Sequence, residues 1–377
     1  NVAGLDADGA GGVVVALGSG EFEPQSPMLA LRIDATGATT WRANVASAYA
    51  MPAVRGANAY FTTPDRLQAI SVASGLPAWS FDCAAGATLR FVDGDPLCAL
   101  PDGRLVRLRA ATGQIAWTSE PGLGAAVAVV AGDVYFARGD NLARVRGADG
   151  ALIWSAATGT THAPHHVVMA GADGDVVRVA MPTEYPGEPA RIERYAIASG
   201  APLGTHAIER VVASASTYDV RRDGDDLFAI VIADELRLRR LAAADGSVIW
   251  DVVFAPLSAR PLPHFVVSSD AVVVALSTTD RTRVYRIDRA SGAVAWQVDL
   301  DVNAGVETLF QGPPAFAADG GVYVATSYTE GSAQARTVRD FVYKLSAEDG
   351  SVIWRRDVSI DGTSGVRTGS RSIDAAD

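Results

Sequence analysis
The chain has 377 residues, is 49% apolar, and carries 43 acidic against 32 basic side chains for a net charge of −11. That length fits two or three ordinary domains or one large repeat domain, with apolar residues enough for a sizeable core. The acidic balance argues against a nucleic-acid partner, and no apolar run approaches the roughly 18 residues of a membrane span.

Residues 2–5, then GGVVVALG, MLALRI and TTWRANV, read as four successive strands, the last containing Trp41. The last of these closes a motif, Ala-(Thr/Ser/Asp)-Gly-x-x-x-Trp, that organises the chain. It stands as ATGATTW, ASGLPAW, ATGQIAW, ADGALIW, ADGSVIW, ASGAVAW and EDGSVIW, ending at Trp41, Trp79, Trp117, Trp154, Trp250, Trp296 and Trp354. These are all seven tryptophans of the protein. An eighth copy, ASGAPLG, has Gly204 in the Trp position. The motif glycines, from Gly37 to Gly350, are separated by 38, 38, 37, 50, 46, 46 and 58 residues. A period of that size, built only of strand-like runs, predicts a propeller.

Within each repeat four runs, rich in Val, Tyr and Ile and bounded by Gly or Asp, read as the strands of one blade. Residues 314–358 show it plainly: PAFAA, GGVYVATSY, FVYKLSA and SVIWRRDV. Pro52, Pro164, Pro263 and Pro314 open first strands, where a missing ladder N–H is tolerated. The motif forms the hairpin between third and fourth strands, with Gly supplying a positive φ. Each Trp is expected to wedge between blades, a structural role. No helical periodicity persists, so almost no helix is expected. Residues 181–193, 214–226 and 329–339 read as loops projecting from the rim or faces.

The repeat resembles the PQQ-like quinoprotein propeller family, whose tryptophan-docking motif is echoed by IDATGATTW and IDRASGAVAW. The resemblance covers residues 11–358 and implies eight blades. It is stronger to the non-enzymatic, BamB-like branch than to the quinone dehydrogenases. Those enzymes carry two adjacent bridged cysteines, and this chain has only Cys83 and Cys98.

Those two cysteines are either small buried hydrophobes or a disulfide formed in an oxidising compartment. His162, His165 and His166 cluster in THAPHH, and His264 occupies the position equivalent to His165; imidazoles so placed are candidate ligands for a transition metal, against a plainer reading as solvated loop histidines. Asp299, Asp301 and Asn303 alternate in DLDVNAGVE like oxygen ligands of a calcium loop, but the sixth-position Gly and twelfth-position Glu of an EF-hand are missing, and an ordinary turn explains them as well. No acid/base pair is singled out by spacing, and no cofactor other than calcium is expected.

The expectation is therefore an all-β, eight-bladed propeller of four-stranded antiparallel blades over 1–360, with 361–377 as a tail or an extra edge strand. Its expected role is a non-enzymatic scaffold holding another protein in the periplasm or outside a bacterial cell. The alternatives are a ligand- or quinone-dependent oxidoreductase and one module of a larger cell-surface protein.

Overall fold
The computed structural model describes residues 2–18, 28–45, 52–63, 65–83, 89–121, 126–138, 141–157, 165–170, 175–181, 190–208, 213–214, 217–218, 220–232, 235–254, 262–277, 281–300, 312–332 and 335–359. The expected tail at 361–377 lies outside them. Eight four-stranded antiparallel sheets, each built from chain-consecutive strands, are the blades of an eight-bladed β-propeller. Among the described residues there is no helix.

The chain divides into two compact units. The first, Asn1–Asp82 with Leu257–Asp377, holds blades one, two, seven and eight. Blade one is Val2–Ala7, Val13–Leu17, Met28–Ile33 and Thr39–Val45; blade two is Ala53–Arg55, Asn58–Thr62, Arg66–Ser71 and Pro77–Asp82. Blade seven is Leu262–Val267, Ala271–Ser277, Thr282–Asp288 and Val294–Leu300; blade eight is Ala315–Phe316, Val322–Ser332, Ala335–Leu345 and Val352–Asp357. The second unit, Cys83–Pro256, holds blades three to six. Blade three is Arg90–Val92, Asp95–Ala99, Leu105–Leu108 and Ile115–Thr118; blade four is Ala126–Val130, Asp133–Arg138, Asn141–Val145 and Leu152–Ala157. Blade five is His165–Ala170, Asp175–Met181, Ala190–Ala196 and Pro202–Ile208; blade six is Val220–Asp223, Asp226–Ile232, Leu236–Ala242 and Val248–Val253.

The second strands are the most apolar and the most deeply buried. Val13–Leu17, Asn58–Thr62 and Ala271–Ser277 are buried along their whole length. Both faces of Val13–Leu17 meet neighbouring sheets, so its residues run apolar instead of alternating. The core is accordingly a series of clusters between sheets. One joins Val13, Val15 and Leu31 of blade one to Tyr323, Val342 and Trp354 of blade eight. At the same seam the Val2 N–H donates to Asp340 Oδ1 at 3.1 Å, and Tyr323 donates its hydroxyl to the Gly11 carbonyl.

Two of the segments read as loops are not loops. Residues 214–226 contain the first strand of blade six, Val220–Asp223, whose Val220 is buried and whose Arg222 is paired. Residues 329–339 continue a ladder that runs without a break from Val322↔Leu345 to Ser332↔Ala335. Backbone pairing decided both cases, against charged or Gly/Ser-containing sequence. Of the third, residues 182–189 lie outside the described residues.

The first strands also hold a titrating group. Asp6 accepts the Val54 N–H at 2.8 Å, bridging blade one to blade two. Burial is the largest influence on its carboxyl and pushes it above the ordinary carboxylate value, against the hydrogen bond from Val54 and the charge of Arg55. A raised folded-state value means that the folded protein binds the proton more tightly than the unfolded chain. The group then favours folding most below its unfolded value, and that advantage is lost as pH rises through the folded value. Asp6→Asn keeps an acceptor for Val54 and removes the charge. The stability of the variant minus that of the wild type is expected to grow as pH is raised from about 4 to 6. A difference that stays flat across that range in thermal melts is the contrary result.

Candidate functional site
Within each unit a recurring three-part device fastens blades to one another, and its parts start from the motif. The hairpin bends through Gly, and a fourth strand then leaves toward Trp. In all eight blades the ladder slips by one residue immediately before the Trp position, at Thr40, Ala78, Ala116, Ile153, Leu203, Ile249, Ala295 and Ile353. Such a bulge sharpens the local twist and re-aims the side chain that follows it. Here that side chain is the indole.

Five indoles are seen on their seats. Trp41, Trp117, Trp154, Trp296 and Trp354 each donate Nε1–H to a backbone carbonyl of the next hairpin, of Val72, Gly147, Ile197, Ala347 and Ala35, at 2.6–3.0 Å. Each ring lies over the motif glycine of that hairpin. At Gly200, φ is 72° and a Cβ would stand 2.6 Å from Trp154 Cε3, so both the turn and the contact demand glycine. The five covered glycines, Gly37, Gly75, Gly150, Gly200 and Gly350, are all buried. A Tyr or Phe on the second strand tilts against the indole of its own blade, as Tyr135 does with Trp154 at 6.1 Å.

The third part is an ion pair that sequence reading missed. A basic residue on the third strand stands opposite the Trp position and reaches an Asp at the start of the second strand or in the turn just before it. The pairs are Arg32–Asp8, Arg107–Asp95, Arg144–Asp133, Arg194–Asp175, Arg240–Asp226, Arg286–Asp270 and Lys344–Asp319, at 2.5–2.9 Å. Blade two has Ala69 opposite Trp79 and begins its second strand with Asn58. Several of these cations also reach a carbonyl of the next hairpin: Arg107 shares the Gly147 oxygen with Trp117, and Arg144 shares the Ile197 oxygen with Trp154. The only lysine of the chain is therefore one member of this series. It holds the Asp319 carboxyl below its ordinary range. The available signal was a basic residue nine or ten positions before every Trp except Trp79.

The sequence-derived metal candidates fall differently. His162, Asp301 and Asn303 lie outside the described residues. His165 and His166 are consecutive in the first strand of blade five, paired with Met181 and Ala180. His264, in the first strand of blade seven, is buried and pairs with Ala275. Asp299 accepts from Arg283 Nε at 2.5 Å and Nη2 at 2.7 Å, and from Arg281 Nη1 at 3.0 Å. Hydrogen bonding from Arg283 is the chief reason its carboxyl stays below the ordinary value. Two guanidinium groups on one carboxylate oppose a divalent cation there. Among the described residues no three His, Cys, Asp or Glu side chains gather around a common point.

Cys83 and Cys98 stand within disulfide-bonding distance, with Cα atoms 6.2 Å apart. Intact mass after alkylation without reductant is expected to show no added label on native protein. Two labels would dissolve the bond and the oxidising compartment inferred from it.

Aliphatic side chains just before the Trp position are exposed on the last strands, among them Leu152, Ile153, Val248, Ile249, Val352 and Ile353. Blade eight adds an arm. Its second and third strands pair from Tyr328↔Arg339 to Ser332↔Ala335 beyond the reach of the first strand, which extends along the second only to Tyr323, and of the fourth, which ends opposite Phe341. At a strand rise of 3.4 Å this is about 17 Å of two-stranded ribbon.

The fold has solved counterparts. BamB from Moraxella catarrhalis superposes with a TM-score of 0.55 at 12% identity, covering 93% of this chain and 94% of that one. The dihydro-heme d1 dehydrogenase NirN, in complex with DHE, superposes with a TM-score of 0.58 at 16% identity, covering 94% of this chain and 74% of that one. The computationally designed Ika8 protein gives a TM-score of 0.52 at 14% identity, over 81% of this chain and 85% of that one. At such identities the likeness is one of fold. No curated protein matches the chain in sequence. The family described as outer membrane protein assembly factor BamB matches residues 28–178, 101–203 and 234–376. With most of its length matched, the chain belongs to that BamB family of PQQ-like propellers.

Proposed function
We propose that the protein is a non-enzymatic, extracytoplasmic scaffold that holds another protein. The observation that carries this reading is the arm of blade eight. Beyond Tyr328 and Arg339 its two strands pair only with each other among the described residues, so both margins present backbone donors and acceptors. An extended segment of a partner adds to such a margin as a further strand. An isolated two-stranded ribbon is marginal in water, which favours a ribbon that works against a partner. The family's description, an outer membrane protein assembly factor, is of the same kind. The Cys83–Cys98 geometry supports an oxidising compartment.

The test replaces residues 329–338 by an Asn-Gly turn, which suits a two-residue hairpin. The variant is expected to melt within a few degrees of the wild type. It is expected to lose the protein that cross-links to, and co-purifies with, the wild type in the native host. Unchanged recovery of that protein would remove the arm from the reading. The competing reading, a ligand- or quinone-dependent oxidoreductase, draws on the NirN likeness. It requires a visible absorption band and dye-linked turnover in protein purified from the host.

A further inference from the structure
Blade five departs from the device at its tryptophan. Its last strand bulges at Leu203, as every last strand does, but the residue the bulge re-aims is Gly204. The receiving hairpin of blade six is nevertheless built for an indole. Gly246 has φ 73° and donates its N–H to the Ala242 carbonyl at 2.8 Å. Gly200, which carries Trp154, has φ 72° and makes the same bond to Ala196. The acceptor three residues before the glycine, filled by an indole N–H at Val72, Gly147, Ile197 and Ala347, is here the carbonyl of buried Ala243. Gly246 is partly buried, as are Gly113 and Gly292, whereas the five glycines seen beneath rings are buried.

The side chains around the seat fit an aromatic guest. Arg194 keeps its place opposite Gly204 and donates Nη1–H to the Ala244 carbonyl at 2.9 Å, so a guanidinium stands beside the seat. Cations in that position stabilise a ring face. Beyond Gly204 the nearest described atom to an added Cβ is His206 Nε2, at 3.7 Å. On the last strands of the two blades, the aliphatic side chains of Leu203, Val248 and Ile249 are exposed.

We propose that the junction of blades five and six is a binding slot for a planar aromatic ring bearing an N–H donor, of the indole type. The chain itself shows the occupant's chemistry, because the same hairpin holds an indole at four other junctions. The guest ring lies over Gly246, donates to the Ala243 carbonyl and meets Arg194 at its edge or face. This inference does not depend on the scaffold reading.

The test uses thermal melts and calorimetric titration of the full-length protein with indole, 1-methylindole and N-acetyl-tryptophanamide. Indole is expected to raise the melting temperature in a saturable way. 1-Methylindole, which lacks the N–H, is expected to bind at least several-fold more weakly. Gly204→Trp supplies the ring covalently; it is expected to melt above the wild type and to lose the response to indole. Gly204→Ala leaves the seat open and is expected to keep that response. A response to N-acetyl-tryptophanamide as well as indole assigns the slot to a tryptophan presented on a polypeptide, and a response to indole alone assigns it to a small molecule. A Gly204→Trp variant that melts below the wild type or fails to fold would overturn the proposal, because the seat is then already filled. An indole response that survives in Gly204→Trp, or that 1-methylindole matches, would overturn it too.

Discussion

Trp154→Ala is expected to lower stability by about 3–5 kcal/mol, the range for truncating a large buried aromatic. The ring is buried, and it is held on three sides. Gly200 lies against its face, Tyr135 tilts over it at 6.1 Å, and its Nε1–H reaches the Ile197 carbonyl at 2.9 Å. Truncation opens a cavity between blades four and five and takes one donor from that carbonyl, which Arg144 then serves alone. Trp154→Phe should fall between, since it keeps most of the apolar area and loses the hydrogen bond. Gly204→Ala, at the equivalent position one blade on, should be neutral or slightly stabilising. Its added Cβ meets only ordinary van der Waals contact, and the unfolded chain loses some freedom. Denaturant melts of the three variants decide the matter. A Trp154→Ala cost below about 1 kcal/mol would show that the indole rides on the surface of the seam.

The contrast between these positions also shows what the sequence made legible. The blade pattern was readable because each strand is short, apolar and bounded by turn residues. MLALRI and TTWRANV correspond to strands Met28–Ile33 and Thr39–Val45. The motif glycine and the Trp were readable because they recur. The bulge was not, because a one-residue slip leaves composition unchanged and shows only in the ladder. Strand Val220–Asp223 was hidden by its charges, VRRD, which read as solvent-exposed until Arg222 is seen against Asp175. The arm of blade eight was hidden by Gly331 and Ser332, residues that suggest a turn where the backbone continues to pair. Asp299 looked like one ligand in an oxygen-rich loop. The two arginines that neutralise it, Arg281 and Arg283, lie 18 and 16 residues earlier and reach it only once that sheet has formed.

Asp175 carries the other large expected effect. It begins the second strand of blade five and is almost fully buried, with a side-chain exposure of 2%. One oxygen accepts from Arg194 Nε of its own blade at 2.7 Å, and the other from Arg222 Nη2 of blade six at 2.8 Å. Arg222 is as deeply buried as its partner, at 2%. Because blade five lacks the tryptophan, this carboxylate and the Arg194 contact to Ala244 are the polar ties described between blades five and six. Removing the carboxylate strands a buried guanidinium, and breaking a buried pair from one side costs about 3–5 kcal/mol. Asp175→Ala is therefore expected to destabilise by that amount, while Asp270→Ala, whose Arg286 partner faces a 69% exposed carboxylate, should cost under about 1 kcal/mol. The second substitution Arg222→Met, added to Asp175→Ala, should recover most of the loss, because it withdraws the stranded charge and leaves apolar volume beside Val220. If the double variant is no more stable than Asp175→Ala, the loss comes from the backbone of blade five and not from the unpaired cation. If Asp175→Ala is as mild as Asp270→Ala, the buried network does not hold these two blades together, and the weight falls on the apolar cluster of Val177, Ile192, Val220 and Leu227.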